Sequence, residues 1–178
     1  KKKHPAERLY FLRETDENGA RLSKFFSRVT QKLEHVNTFR LAILYEFVNS
    51  HTTPIFIYWN KNKLSVYCTD SLAFTNPDGD ELRKVIITIA TLDPRIEVIA
   101  TGVSANPNEA STTIRQYQNE GCALFAALDL EILLNTDNPI HFFQNHTAQT
   151  AEPSIFNLAS LPGSMMVYTQ SIHGKKSP

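Results

Sequence analysis

The sequence predicts an α+β fold, a small central sheet packed against helices. Three stretches predict it. "ARLSKFFSRVTQKL", Ala20 to Leu33, carries Leu22, Phe25, Phe26, Val29 and Leu33 at i, i+3, i+4, i+7 spacing, an amphipathic helix. "TPIFIYWNKNKLSVYCTD" joins two runs rich in β-branched and aromatic residues through the polar "NKNK" at 60–63, a β-hairpin. "GCALFAALDLEILL", 121 to 134, is an apolar run that reads as a helix.

The other elements follow in chain order. Residues 7–12 form a short strand or turn, broken by "DENG" at 16–19. After the first helix, Asn37 or Thr38 caps a second one, "FRLAILYEFVN", that ends near Asn49. Beyond the hairpin, Pro77 to Gly79 supply turn chemistry. Asp80 and Glu81 then open a helix, where acidic side chains complement the positive end of the dipole. Pro94 ends that helix, and "RIEVIATGV" at 95–103 returns as a strand. The polar "SANPNEAST" and then "TTIRQYQNEG" lead to the helix at 121–134. Past Asn135 the pattern becomes short helices and loops packed around the core. This organisation predicts one domain over residues 1–178, with a core of about 35–135 and flanking helices and loops at 1–34 and 136–178.

Composition narrows the function classes. Apolar residues make up 42% and charged residues 20% of the 178, the balance of a globular chain that can bury a core without staples. Lys plus Arg equals Asp plus Glu at 18 each, so no net field favours nucleic acid or an anionic surface. The two cysteines, Cys68 and Cys122, are too few for a disulfide scaffold and lack zinc-site spacing. Cys68, among alternating apolar residues, is a core side chain. No apolar stretch reaches the roughly 18 residues of a membrane span. Reduced thiols point to a cytoplasmic environment, and a monomer is expected. The opening "KKKHPAERLY", with no initiator Met, reads as an excerpt of a longer chain.

Candidate chemistry centres on Cys122. A cysteine in the first turn of a helix meets unpaired N–H groups and the positive end of the dipole, which together stabilise a thiolate. A nucleophilic thiol also needs an imidazole to take its proton and an acid to orient that ring. His51 precedes the first strand of the hairpin and Asp70 ends the second, so antiparallel pairing brings the two ends together. Gln116, six positions before Cys122, offers an amide for an oxyanion, with Gln118 and Asn119 as nearby rivals.

The order His51, Asp70, Gln116, Cys122 resembles the clan CE cysteine proteases: the ubiquitin-like-protein proteases, the adenovirus-type proteases and the YopJ-type bacterial effectors. "HTTPIFIYW", "VYCTDSL" and "QYQNEGCA" stand where that superfamily has a histidine opening a strand, a "DS" acid closing the next, and a glutamine six residues before a cysteine. The resemblance covers roughly residues 35–135. It implies Cys122 as nucleophile, His51 as general base, Asp70 as the acid orienting it and Gln116 as oxyanion donor. It implies a sheet whose hairpin carries the histidine and acid, packed against a helix with the cysteine at its N-terminus. The chain departs from the pattern in three places: Thr52 replaces the tryptophan after the histidine, Gly121 replaces the acid before the cysteine, and Ala123 replaces the glycine after it. Trp59 or Phe56 is then expected to cover the His51 ring.

The resemblance implies a thiol isopeptidase that cleaves ubiquitin or a ubiquitin-like modifier from its conjugates, with no cofactor and no metal. The polar loop at 104–113 would contact the modifier. A second reading keeps the residues and changes the donor: a YopJ-type acetyltransferase moving acetyl from acetyl-CoA to Ser, Thr or Lys, although no basic pocket for the CoA phosphates is legible. A third is a non-catalytic module that binds a modifier or host protein. The resemblance also implies a bacterial effector delivered into a host cytoplasm. His141 and His146 are rival bases downstream of the cysteine, and their spacing also suits two metal ligands, without an evident third.

Overall fold

A computed structural model describes residues 8–15, 19–48, 51–69, 78–101 and 121–167. Seven strands form one mixed sheet: β1 (Arg8–Arg13), β2 (Thr38–Glu46), β3 (Thr52–Asn60), β4 (Lys63–Cys68), β5 (Ile96–Ala100), β6 (Thr147–Gln149) and β7 (Ile155–Leu158). Their order is β1-β2-β3-β4-β5-β7-β6. β1 and β2 run parallel, as do β4, β5 and β7 in succession, while β3 and β6 run against their neighbours. The α+β prediction holds.

The parallel steps β1→β2 and β4→β5 need crossovers, and α1 (Ala20–Lys32) and α2 (Asp78–Thr91) supply them. Both steps move the same way across the sheet, so one crossover handedness lays both helices on the same face. There Leu22, Phe26, Val85, Ile86 and Ile89 pack on Leu41, Ile43, Tyr45, Ile57 and Val66. On the other face α3 (Cys122–Asn135), α4 (Pro139–Phe143) and α5 (Gly163–Met166) contribute Leu130, Leu133, Phe143 and Met165 against Ala42, Phe56, Tyr67 and Ile99.

Two expectations are overturned. "FRLAILYEFVN" is not a helix: Thr38–Glu46 is strand β2, paired on both sides. Its odd positions Leu41, Ile43 and Tyr45 face the α1/α2 core and Ala42 faces the α3 core. A strand buried on both faces is a continuous apolar run, so period alone cannot separate it from a buried helix. The segment after Asn135 likewise holds more than short helices and loops, since β6 and β7 extend the sheet beyond β5. Three- and four-residue strands leave too little alternation to read. The hairpin is as expected: β3 and β4 pair from Asn60↔Lys63 to Ile55↔Cys68 around a two-residue turn, with Lys61 at a φ of 57°.

Candidate active site

The carboxyl ends of β1, β2, β4, β5 and β7 lie at one end of the sheet, and β3 starts there. Two hydrogen-bonded anchors orient α3 relative to that end. Arg40, near the opposite end of β2 and buried, donates from Nη1 to the carbonyls of Leu134 (3.5 Å) and Thr136 (2.6 Å) and from Nη2 to that of Asp137. The carboxyl end of α3 is therefore tied to the far end of the sheet. At the near end, the Thr69 hydroxyl donates to the Asp129 carboxylate (2.6 Å), and Thr53 Oγ1 donates to the Thr69 carbonyl (2.7 Å). All three side chains are buried. The helix thus runs antiparallel to β2, and its N-terminus points to the end where β3 begins. Cys122 stands seven residues before Asp129, about 10 Å further along the axis.

Cys122 is the first residue of α3 and partly exposed. Gly121 caps the helix at φ 103°, a left-handed conformation that suits glycine, and its carbonyl accepts from the Leu124 and Phe125 N–H groups. Among the described residues no side chain caps this end, and no acidic residue stands in the first turn of the helix.

His51 is buried immediately ahead of β3. Its carbonyl accepts from the Phe47 N–H (2.8 Å), which closes the connection between β2 and β3. Its ring stacks on Phe47 with centroids 6.0 Å apart and an 18° interplanar angle. The expected cover by Trp59 or Phe56 is wrong. The Trp59 indole donates to the Val36 carbonyl (2.7 Å) at the other end of the sheet, and Phe56 packs in the opposite core near Tyr67. Phe47 itself is held edge-on by Tyr45, centroids 4.7 Å apart.

The topology brings His51 and the helix bearing Cys122 to one end of the sheet. Asp70 and Gln116 lie outside the described residues, as do Gln118, Asn119 and the loop at 104–113. Of the rival imidazoles, His141 is exposed on α4. His146 immediately precedes β6, the outermost strand, four strands from β3, and its Nδ1 lies 2.8 Å from Ser160 Oγ. No His, Cys, Asp and Glu group suited to a metal occurs among the described residues. Cys68 is buried in the α1/α2 core.

Sequence reasoning missed four positioning groups: Arg40, Thr53, Thr69 and Asp129. Asp129 carried a signal, being the lone carboxylate inside "CALFAALDL", where an acid must find donors once the helix is buried. No helix among the described residues is long and apolar enough to cross a membrane.

No protein-family profile and no curated protein sequence matches the chain. Among solved structures, a deletion variant of AvrA with IP6 and CoA shares 13% identity at a TM-score of 0.53, over 93% of this chain and 59% of AvrA. HopZ1a with IP6 and CoA overlaps 80% of this chain and 42% of that one, at 12% identity and a TM-score of 0.41. HopZ1a with IP6 alone gives 79%, 40%, 9% and 0.40. These neighbours are YopJ-family effectors. The likeness to AvrA is one of fold, and the chain spans about three-fifths of the length of that relative.

Proposed function

We propose that this chain is the catalytic part of a YopJ-type acetyltransferase that moves an acetyl group from acetyl-CoA to a Ser, Thr or Lys side chain. The observation that carries the reading is the overlap with AvrA, a structure containing CoA. The placement of Cys122 and His51 at one end of the sheet agrees with it.

In this mechanism the Cys122 thiolate attacks the thioester carbonyl. The tetrahedral oxyanion is held by the Cys122 backbone N–H and the Gln116 amide. Collapse expels the CoA thiolate, which takes the proton that His51 removed from Cys122, and leaves an acetyl thioester on Cys122. The acceptor hydroxyl or amine then attacks that thioester while His51 takes its proton. Collapse returns the thiolate and releases the acetylated side chain. Asp70 orients the imidazole, and Phe47 stacks against its ring. The same residues would serve the isopeptidase reading if the acyl donor were the C-terminus of a modifier, and the CoA in AvrA favours the thioester donor.

Incubation with labelled acetyl-CoA, with and without IP6, followed by intact mass and peptide mapping, tests the proposal. The expected result is an acetyl group on Cys122 that chases to an acceptor protein. Cys122→Ala should reduce transfer to background, and His51→Ala should cost about 10³-fold or more, because members of such a triad act as a unit. Adduct formation on Cys122 with a ubiquitin-family C-terminal electrophile, without acetyl transfer, would restore the protease reading.

A further inference from the structure

We propose that the cavity beneath α1 binds a single-chain anionic amphiphile, a long-chain fatty carboxylate. The cavity, of about 460 Å³, lies between α1 and the β1–β2 edge and is lined by Tyr10, Phe25, Val29, Leu33, Val36, Phe39 and Leu41, with Arg28 and Lys32 at its side. It sits on the face of the sheet opposite α3, and Val36 and Phe39 place it at the end away from His51. It is therefore separate from the candidate active site, and the proposal does not depend on the acetyltransferase reading.

Two properties select the ligand. The wall is apolar, with Phe25 edge-on to Tyr10 at 5.7 Å, and it remains open: Phe25, Val29 and Phe39 are only half-buried and Val36 is 43% exposed. A ligand tail that covers these groups gains the stabilisation of removing apolar surface from water. The cations supply the second property. Arg28 and Lys32, exposed and one helical turn apart, share a face of α1, and neither has a hydrogen-bond or ion-pair partner among the described residues.

They continue a stripe begun by Arg21 and Lys24, and α1 contains no acidic residue. In a chain of formal net charge zero, α1 carries four basic residues and no acidic one. A carboxylate between Arg28 and Lys32 would meet a guanidinium fork and an ammonium while its chain fills the cavity. The volume lies in the lower part of the range of small-molecule sites and suits one acyl chain better than a two-chain lipid.

Oleate below its micellar concentration, titrated calorimetrically into the purified chain, tests the assignment. We expect saturable one-to-one binding. Oleyl alcohol, which has the same chain without the charge, and the double variant Arg28→Glu, Lys32→Glu should each bind about tenfold more weakly or less, the loss of a charge-assisted contact. Val36→Trp alters an exposed position at the mouth, so it should block binding while leaving the thermal melt unchanged. Equal affinity for oleate and oleyl alcohol, or full binding by the charge-reversed variant, would overturn the proposal. So would binding only to anionic phosphatidylserine vesicles, which would make α1 a membrane-surface helix. Absence of oleate binding together with a dimer that Val36→Trp dissociates would assign the cavity to a second copy of the chain.

Discussion

Thr69 and Asp129 carry the clearest residue-scale consequence. Asp129 is fully buried on α3, and the Thr69 hydroxyl donates to its carboxylate at the end of β4. Replacing Thr69 by Val keeps the shape and removes that donor from a buried acid. The expected cost is about 2 kcal/mol, within the range for hydrogen bonds to charged groups. Urea unfolding should show a lower midpoint at an unchanged slope. A cost near zero would mean that the bond does not help to anchor α3. The anchor was hidden in the sequence because its partners stand 60 positions apart, whereas Cys122 was visible as a thiol at the joint of a polar segment and an apolar run.

Single elements depend on similar groups at their ends. α3 has no basic residue in its last turn, and Arg40 on β2 serves its terminal carbonyls instead. Arg40→Met keeps most of the buried stem and leaves those carbonyls without their donor. A loss of about 3 kcal/mol is expected, with faster amide exchange confined first to the carboxyl end of α3.

The turn into β5 responds to acid. The Asp93 carboxylate accepts from Arg95 Nε and Nη2 at 2.9 and 2.7 Å and from its backbone N–H at 2.8 Å. The side-chain hydrogen bond to Arg95 is the main cause that holds this carboxyl below its ordinary value, against the opposing effect of burial. With the folded value depressed, the contribution is fully present above the unfolded value of about 3.9 and is lost as pH falls through the folded one. The melting-temperature gap between wild type and Asp93→Asn should therefore shrink between about pH 6 and pH 2. A constant gap would contradict this account. The end of α2 before Pro94 was legible in the sequence, while β2 was not, because a two-sided strand hides its period.

For the whole molecule, the sheet crosses the boundaries that the sequence suggested for its core. β1 and α1 come from residues before 35, and β6, β7, α4 and α5 from residues after 135. A fragment of residues 35–135 would expose Leu22's and Phe26's partners on one face and Phe143's and Met165's on the other, and would uncover the β5 edge. Exposed strand edges and apolar faces promote association. The expected outcome is a fragment without a cooperative urea transition and prone to aggregation. A sharp transition in that fragment would show that the flanks are dispensable.

Local chemistry was enough to determine the amphipathic helix at 20–32, the hairpin around Lys61 and the helix that begins at Cys122, because each is written in the periodicity and turn residues of one continuous segment. Tertiary structure alone decided that 38–46 is a strand, that Phe47 rather than Trp59 stacks on His51, and that Arg40 and Thr69 orient α3. Strand β2 and the anchors of α3 depend on contacts between segments distant in the chain, and the Phe47–His51 stack on how the paired strands β2 and β3 fold the connection between them; burial on both faces of a strand also erases the local pattern that would have announced it.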